Sequence, residues 1–99
     1  MKKYIIDCFK IDSEDAFWDA YVRCVDIEGA EYFGRNLDAL WDALHAGGPG
    51  TPKDRDCFIS VRRTEKLRRI RDGYFYDHLR QIAYDLGTDP ANSLKFRVN

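Results

Sequence analysis

The sequence predicts an α/β fold, a three-stranded parallel sheet packed with about four helices. Three observations carry that prediction. Apolar residues recur at two different periods along the chain, one strand-like and one helical. Every stretch of strand character is separated from the next by helical stretches rather than a tight hairpin, so the strands run parallel through right-handed crossovers. The length of 99 residues leaves room for one domain, 1–99, with a single core. A parallel sheet needs cover on its faces, and four helices can supply it.

Tyr4-Ile5-Ile6 reads as a short buried strand. Asp12 or Ser13 can cap the next element, with Glu14 and Asp15 placed favourably in its first turn. Phe17, Ala20, Tyr21, Cys24 and Val25 then recur at helical spacing over 13–26. Gly29 and Gly34 bracket a loop, and Asn36 caps a second helix from Leu37 to about His45. Gly47-Gly48 ends that helix, and residues 46–56 form a polar loop rich in glycine and proline.

Cys57 to Val61 is the clearest central strand. A short helix is expected at 64–71, with Leu67 and Ile70 inward and Glu65 paired to Arg68 or Arg69. Asp72-Gly73 breaks the chain. Phe75, Leu79, Ile82 and Leu86 support a helix over 74–86 that Gly87 ends. Leu94, Phe96 and Val98 alternate with Lys95 and Arg97, the period of a final strand.

Composition excludes several classes. With 44% hydrophobic and 33% charged residues the chain is expected to be globular rather than disordered. No apolar run approaches the roughly 20 residues that span a bilayer, so no membrane partner is expected. The first residues turn acidic at Asp7 after only three apolar positions, short of the about 7–15 of a secretory core, which points to a cytoplasmic protein. Cys8, Cys24 and Cys57 are odd in number and form no CxxC pair, so neither a zinc ribbon nor a disulfide framework is expected. His45 and His78 fall on different predicted helices, and no phosphate-cradling or nucleophile motif is present. The sequence therefore predicts no enzyme, no metal and no cofactor.

Charge is unevenly spread. Residues 1–50 hold ten acidic and five basic side chains, and residues 51–99 hold seven and eleven. The basic stretch 62–71 carries six cations and one acid, which suits phosphate contact or, more blandly, a solvated helix face. The overall pI near 6.1 favours the bland reading and no direct nucleic-acid partner.

The most informative segment is Tyr32 to Leu44. On a helix, Leu37, Leu40, Trp41 and Leu44 form the inward stripe, with Trp41 at its boundary. Asp38 and Asp42 then share an outward flank one turn apart, where like charges cost a few tenths of a kcal/mol. Aromatic anchors beside grouped carboxylates are the stuff of protein–protein hot spots.

The run Tyr32-Phe33-Gly34-x-Asn36-Leu37-Asp38-Ala39-Leu40-Trp41-Asp42 resembles the signature of the barstar family, intracellular inhibitors of the ribonuclease barnase. The order of predicted elements is similar to that family's over nearly the whole chain. The resemblance implies a cytoplasmic, non-catalytic protein whose partner is a basic ribonuclease, plugged by the second helix and the loop before it. Asp42 matches the carboxylate that takes the enzyme's phosphate site, Asp38 a second interfacial acid, and Tyr32 an aromatic on the enzyme's catalytic histidine. Gly34, Asn36, Leu37, Ala39 and Trp41 fall on the same contacting surface, and Phe33 and His45 complete the expected partner-binding set. Arg35 stands where barstar has an acid, Gly47-Gly48 where it has a tryptophan, and Tyr84 or Asp85 near a glutamate of its last helix. These departures leave two alternatives to barnase itself as the partner: another guanyl-preferring ribonuclease, or a toxin nuclease for which this is the immunity protein. A reading of another class is a small nucleic-acid-binding domain using 62–71.

Overall fold

The computed structural model describes residues 1–99. In chain order it contains β1 (Lys2–Asp7), α1 (Glu14–Cys24), α2 (Leu37–Ala46), β2 (Cys57–Arg62), α3 (Tyr74–Thr88) and β3 (Lys95–Val98). Two 3-10 segments, Ala30–Tyr32 and Leu67–Gly73, lie in the crossovers. The strands are parallel in the order β1-β2-β3, with Ile6 beside Val61 and Ile59 beside Phe96.

Helix starts follow local chemistry. The Ser13 hydroxyl accepts from the Ala16 N–H at 3.2 Å, and Glu14 and Asp15 fill the first turn of α1. The three α-helices lie within two residues of the expected bounds. The end of α3 differs: the helix runs through Gly87 to Thr88. The Asn92 side chain donates to the carbonyls of Leu86 at 3.1 Å and Leu94 at 2.6 Å, tying the helix end to the start of β3.

The expected helix at 64–71 is replaced by a 3-10 segment over Leu67–Gly73. Ile70 is extended, and Arg71 and Asp72 are left-handed at φ 49° and 53°. The chain must reverse sharply there to bring Leu67 into the core and start α3, and a regular helix cannot make that turn. Glu65 forms no ion pair. Arg68 instead donates to the Thr64 hydroxyl at 3.1 Å and lies over the Tyr76 ring, and Arg71 pairs with Glu14.

One expectation about cover is overturned. All three α-helices pack on a single face of the sheet, the one bearing Ile6, Ile59, Val61 and Phe96. The reason is topological. Right-handed crossovers that move across a sheet in one direction place their helices on the same side, and the order β1-β2-β3 never reverses. Ile5, expected to be buried, is consequently 50% exposed on the open face.

The core centres on aromatic side chains from α1, the turn before α2, and α3. Trp18 makes edge contacts with Phe17, Phe33 and Phe75 at centroid distances of 5.1, 5.8 and 5.6 Å. Each such pair adds about 0.5–1.5 kcal/mol beyond its buried area. The three cysteines are free, with Cys8 and Cys57 buried and Cys24 half-buried. Burial pushes the Cys8 thiol up to about 12.

Phe33, expected on the binding surface, is a core residue: it is 5% exposed and wedged against Trp18 and Tyr21. We expect Phe33→Ala to cost about 3–5 kcal/mol in urea unfolding, the range for a buried aromatic. A loss below about 1 kcal/mol would contradict this placement.

Candidate functional site

The candidate site is built on α2 and the turn before it. Gly29 enters the turn in the left-handed conformation, and the Tyr32 N–H closes it on the Gly29 carbonyl at 2.9 Å. The turn carries Tyr32 outward, where it is 75% exposed, and Phe33 inward. Gly34 follows at close range: a side chain there would stand 3.1 Å from the Ala39 methyl and 3.3 Å from the Asn36 amide. Asn36 then caps α2, its Oδ1 accepting from the Ala39 N–H at 2.8 Å and its Nδ2 donating to the Gly34 carbonyl at 3.3 Å.

On α2 the buried positions are Leu40, Ala43 and Leu44, with Leu37 and Ala39 half-buried. Trp41 leaves the inward stripe and is 45% exposed. Its indole stacks on the His45 imidazole at 4.2 Å, and the His45 Nδ1–H donates to the Trp41 carbonyl at 3.0 Å. The other ring nitrogen of His45 is enclosed without a partner, so its ring supports Trp41 and offers no free polar atom. His45, expected on the partner-binding surface, is half-buried behind the exposed Trp41 ring.

Asp38 and Asp42 are both exposed, and neither carboxylate has an ion-pair or hydrogen-bonded partner within the chain. The cation nearest in sequence, Arg35, is drawn away: it pairs with Asp19 of α1. Its backbone sits at φ 54°, a left-handed conformation that costs a non-glycine residue about 1–2 kcal/mol. The Arg35 departure thus leaves the acids of α2 unneutralised. A shallow apolar depression runs from Leu37 and Trp41 across to Ile82 of α3, with Asp38 and Asp85 on its two walls.

The loop 46–56 has a structural task that the sequence did not reveal. Gly47 closes α2 in the left-handed conformation, its N–H donating to the Asp42 carbonyl. Gly48 lies beneath the Asp42 side chain, so that a Cβ at 48 would stand 3.0 Å from the Asp42 Cγ and overlap its carboxylate. Farther on, Arg55 turns back to donate to the last carbonyls of α2, Ala43 at 3.1 Å and Leu44 at 2.6 Å, and to the Thr51 hydroxyl at 2.8 Å. The Tyr21 hydroxyl of α1 donates to the Gly50 carbonyl at 2.7 Å. The Gly50 N–H reaches the Glu28 carbonyl at 2.7 Å, and the Glu28 N–H reaches the Thr51 carbonyl at 2.9 Å. The loop is therefore a strap that joins the end of α2 to the chain entering the Tyr32 turn. Arg55 and Gly48 were missed as supporting residues; a lone arginine inside a breaker-rich loop is the only hint of a C-terminal cap.

The fold is a small α/β domain whose α2 presents two exposed, unpaired carboxylates beside exposed aromatics. No three histidine, cysteine or acidic side chains gather closely enough to hold a metal ion. The chain belongs to the barstar (barnase inhibitor) family, whose model matches residues 1–98. Membership implies a non-enzymatic inhibitor of a barnase-like ribonuclease. No individual curated protein matches the chain. No helix is long and apolar enough to cross a membrane.

Burial raises the Tyr21 hydroxyl above its ordinary value of 10.0. A raised value favours the neutral phenol in the folded state, so the stability it brings is complete below pH 10 and drains away above it. Cys8 does the same from about pH 9. Tyr21→Phe should lower stability at neutral pH by about 1–2 kcal/mol, the value of a lost buried hydrogen bond. It should also flatten, without abolishing, the decline between pH 9 and 11. Urea midpoints against pH for both proteins measure this; parallel curves would refute the role of the hydroxyl.

Proposed function

We propose that this protein inhibits a barnase-like ribonuclease in the cytoplasm by laying α2 and the Tyr32 turn over the enzyme's active site. A ribonuclease stabilises a phosphate transition state, so its cleft is cationic. In this reading Asp42 takes the place of a phosphate group and Asp38 provides a second charge. Tyr32 and Trp41 are the aromatic anchors at either end, and Gly34, Asn36, Leu37 and Ala39 form the surface between them. A helix tied at both ends loses little freedom on docking.

The observation that carries this reading is the pair of exposed carboxylates on α2 without any internal cation. The depression that reaches Asp85 gives the same face a third acid, which supports Asp85 over Tyr84 as the counterpart on the last helix. A nucleic-acid domain built on 62–71 has less support. Arg63 and Arg71 are engaged by Asp7 and Glu14, Arg68 lies over Tyr76, and the segment does not form one helix face.

Titration with a barnase-like ribonuclease tests the proposal. Asp42→Ala should weaken binding by at least about 2 kcal/mol, roughly thirtyfold, with little change in folding stability. Rising ionic strength should slow association more than it speeds dissociation. If Asp38→Ala and Asp42→Ala both bind like the wild type, another surface carries inhibition. If the wild-type protein does not bind the enzyme but protects cells from an unrelated toxin nuclease, the immunity reading replaces the ribonuclease one.

Gly48 offers a separate check on Asp42. A methyl group at 48 meets only the end of a flexible carboxylate, so Gly48→Ala should keep its melting temperature while displacing that carboxylate and changing nuclease affinity. Gly47→Ala, at φ 75°, should do the reverse, losing about 1 kcal/mol of stability.

A further inference from the structure

The open face of the sheet is a second surface with a chemistry of its own. Its residues come from alternate positions of all three strands: Lys3, Ile5 and Asp7 of β1, Phe58, Ser60 and Arg62 of β2, and Lys95 and Arg97 of β3. Ile5 is half exposed and Phe58 partly so, and they line a shallow depression of about 110 Å³ together with Lys3, Ser60 and Arg62. No helix covers them.

The charge around that apolar centre has one sign. Lys3, Arg62, Lys95 and Arg97 are exposed and have no acidic partner within ion-pair distance. The one acid on the face, Asp7, is taken by Arg63. Arg62 is held flat along its strand, its Nε donating to the Ser60 hydroxyl at 3.0 Å. Beyond the C-terminal end of β1 the exposed Phe9 ring carries Lys66 at 5.3 Å and Arg63, already paired with Asp7, at 4.6 Å.

We propose that this open face binds single-stranded nucleic acid, with Phe58 stacking on a base and Lys3, Arg62, Lys95 and Arg97 contacting phosphates. Charge complementarity selects a polyanion. The flat surface selects among polyanions. Lys95 and Arg97 stand two positions apart on one strand, about 6.6 Å, a spacing suited to successive phosphates of an extended backbone. A partly exposed aromatic on the central strand, as Phe58 is, supplies the stacking platform by which sheet surfaces hold unpaired bases. A flat sheet has nothing to insert into a duplex groove. RNA and single-stranded DNA share this chemistry. The surface is not the 62–71 stripe of the sequence; only Arg62 belongs to both, and the other three cations lie some 30 to 60 residues away along the chain.

The inference is independent of nuclease inhibition, since the two surfaces lie on opposite layers of the fold. Its test is fluorescence anisotropy with labelled oligouridylate and oligothymidylate of about ten nucleotides, from 20 to 200 mM salt. Each phosphate contact contributes about −0.7 to the slope of log K against log salt, so four predict a slope near −2.8. Lys95→Ala/Arg97→Ala, an exposed pair whose loss leaves the core intact, should halve that slope and weaken binding at least tenfold at low salt. The same variant should inhibit the nuclease unchanged. Phe58→Ala should weaken binding fivefold or more without altering the slope. The ratio of the two oligonucleotide affinities tells RNA from DNA.

Absence of binding at 20 mM salt overturns the proposal, and so does binding that the Lys95/Arg97 variant retains. Equal binding to duplex of the same length also overturns it, because stacking would then play no part. Two controls identify a rival occupant. Retention on anionic phospholipid vesicles but not on oligonucleotide assigns the face to a membrane surface. Self-association at low salt that Asp42→Ala abolishes, again without oligonucleotide binding, assigns it to the acidic helix of a second copy.

Discussion

The C-terminal end of α2 is held by one guanidinium, and the acidic face depends on it. A helix end leaves carbonyls without partners, and their negative pole falls beside the carboxylates that the helix displays. Arg55 satisfies Ala43 and Leu44 together and places a positive charge against that pole. Charge-assisted hydrogen bonds of this kind contribute about 1.5–3 kcal/mol each. Because Arg55 belongs to the strap, the same contact locks residues 46–56 to α2. The strap in turn grips Tyr21 and Glu28, and so sets the approach of the Tyr32 turn. A long loop rich in glycine and proline is thus an ordered part of the scaffold rather than a free excursion.

The distribution of ion pairs matters more for where charge is left than for stability. The four pairs are exposed, and such pairs contribute about 0–1 kcal/mol. Each nonetheless removes a cation or an anion from the local field. Asp19 takes Arg35 from the acidic face, and Asp26 takes Lys53 from the strap. At the other end Arg63 takes Asp7 from the basic sheet, and its hydrogen bond holds that carboxyl below the ordinary carboxylate range. Asp38 and Asp42 are left without compensation on one side, and Lys3, Arg62, Lys95 and Arg97 on the other. The small repulsion between the two α2 carboxylates is tolerated within a rigid frame.

Those features of the fold that rest on local chemistry could be read from the chain. The apolar periods located three strands and three helices, and Ser13, Asn36 and Gly47 marked helix ends because capping is a short-range interaction. What depended on distant partners could not. The period of α2 placed Trp41 inward, whereas the space there is filled by Ala43 and Leu44, and Trp41 turns out over His45. Phe33 was placed on the contact surface with the rest of its motif; Trp18 and Tyr21, fifteen and twelve positions earlier, make it core. The fourth helix failed at Ile70 to Asp72, where helical propensity yields to the reversal needed to start α3. For the binding face, the acids and Tyr32 were visible as a motif, but the diversion of Arg35 and the seat of Asp42 over Gly48 are tertiary facts.

One-sidedness links the two faces. Had the strand order reversed, helices would have covered both sides of the sheet, and the cations of β1, β2 and β3 would have been forced apart or buried. Because it does not reverse, the acidic first half of the sequence supplies the exposed helix, and the basic second half supplies most of the bare strand face. The molecule is nearly neutral in total yet strongly polarised. Near a cationic enzyme such a body turns before it touches: the helical side is drawn in while the sheet side is pushed back. Orientation is a large part of the cost of docking two specific patches. A fold that separates its charges by topology therefore gains association rate from the same arrangement that leaves its second surface free.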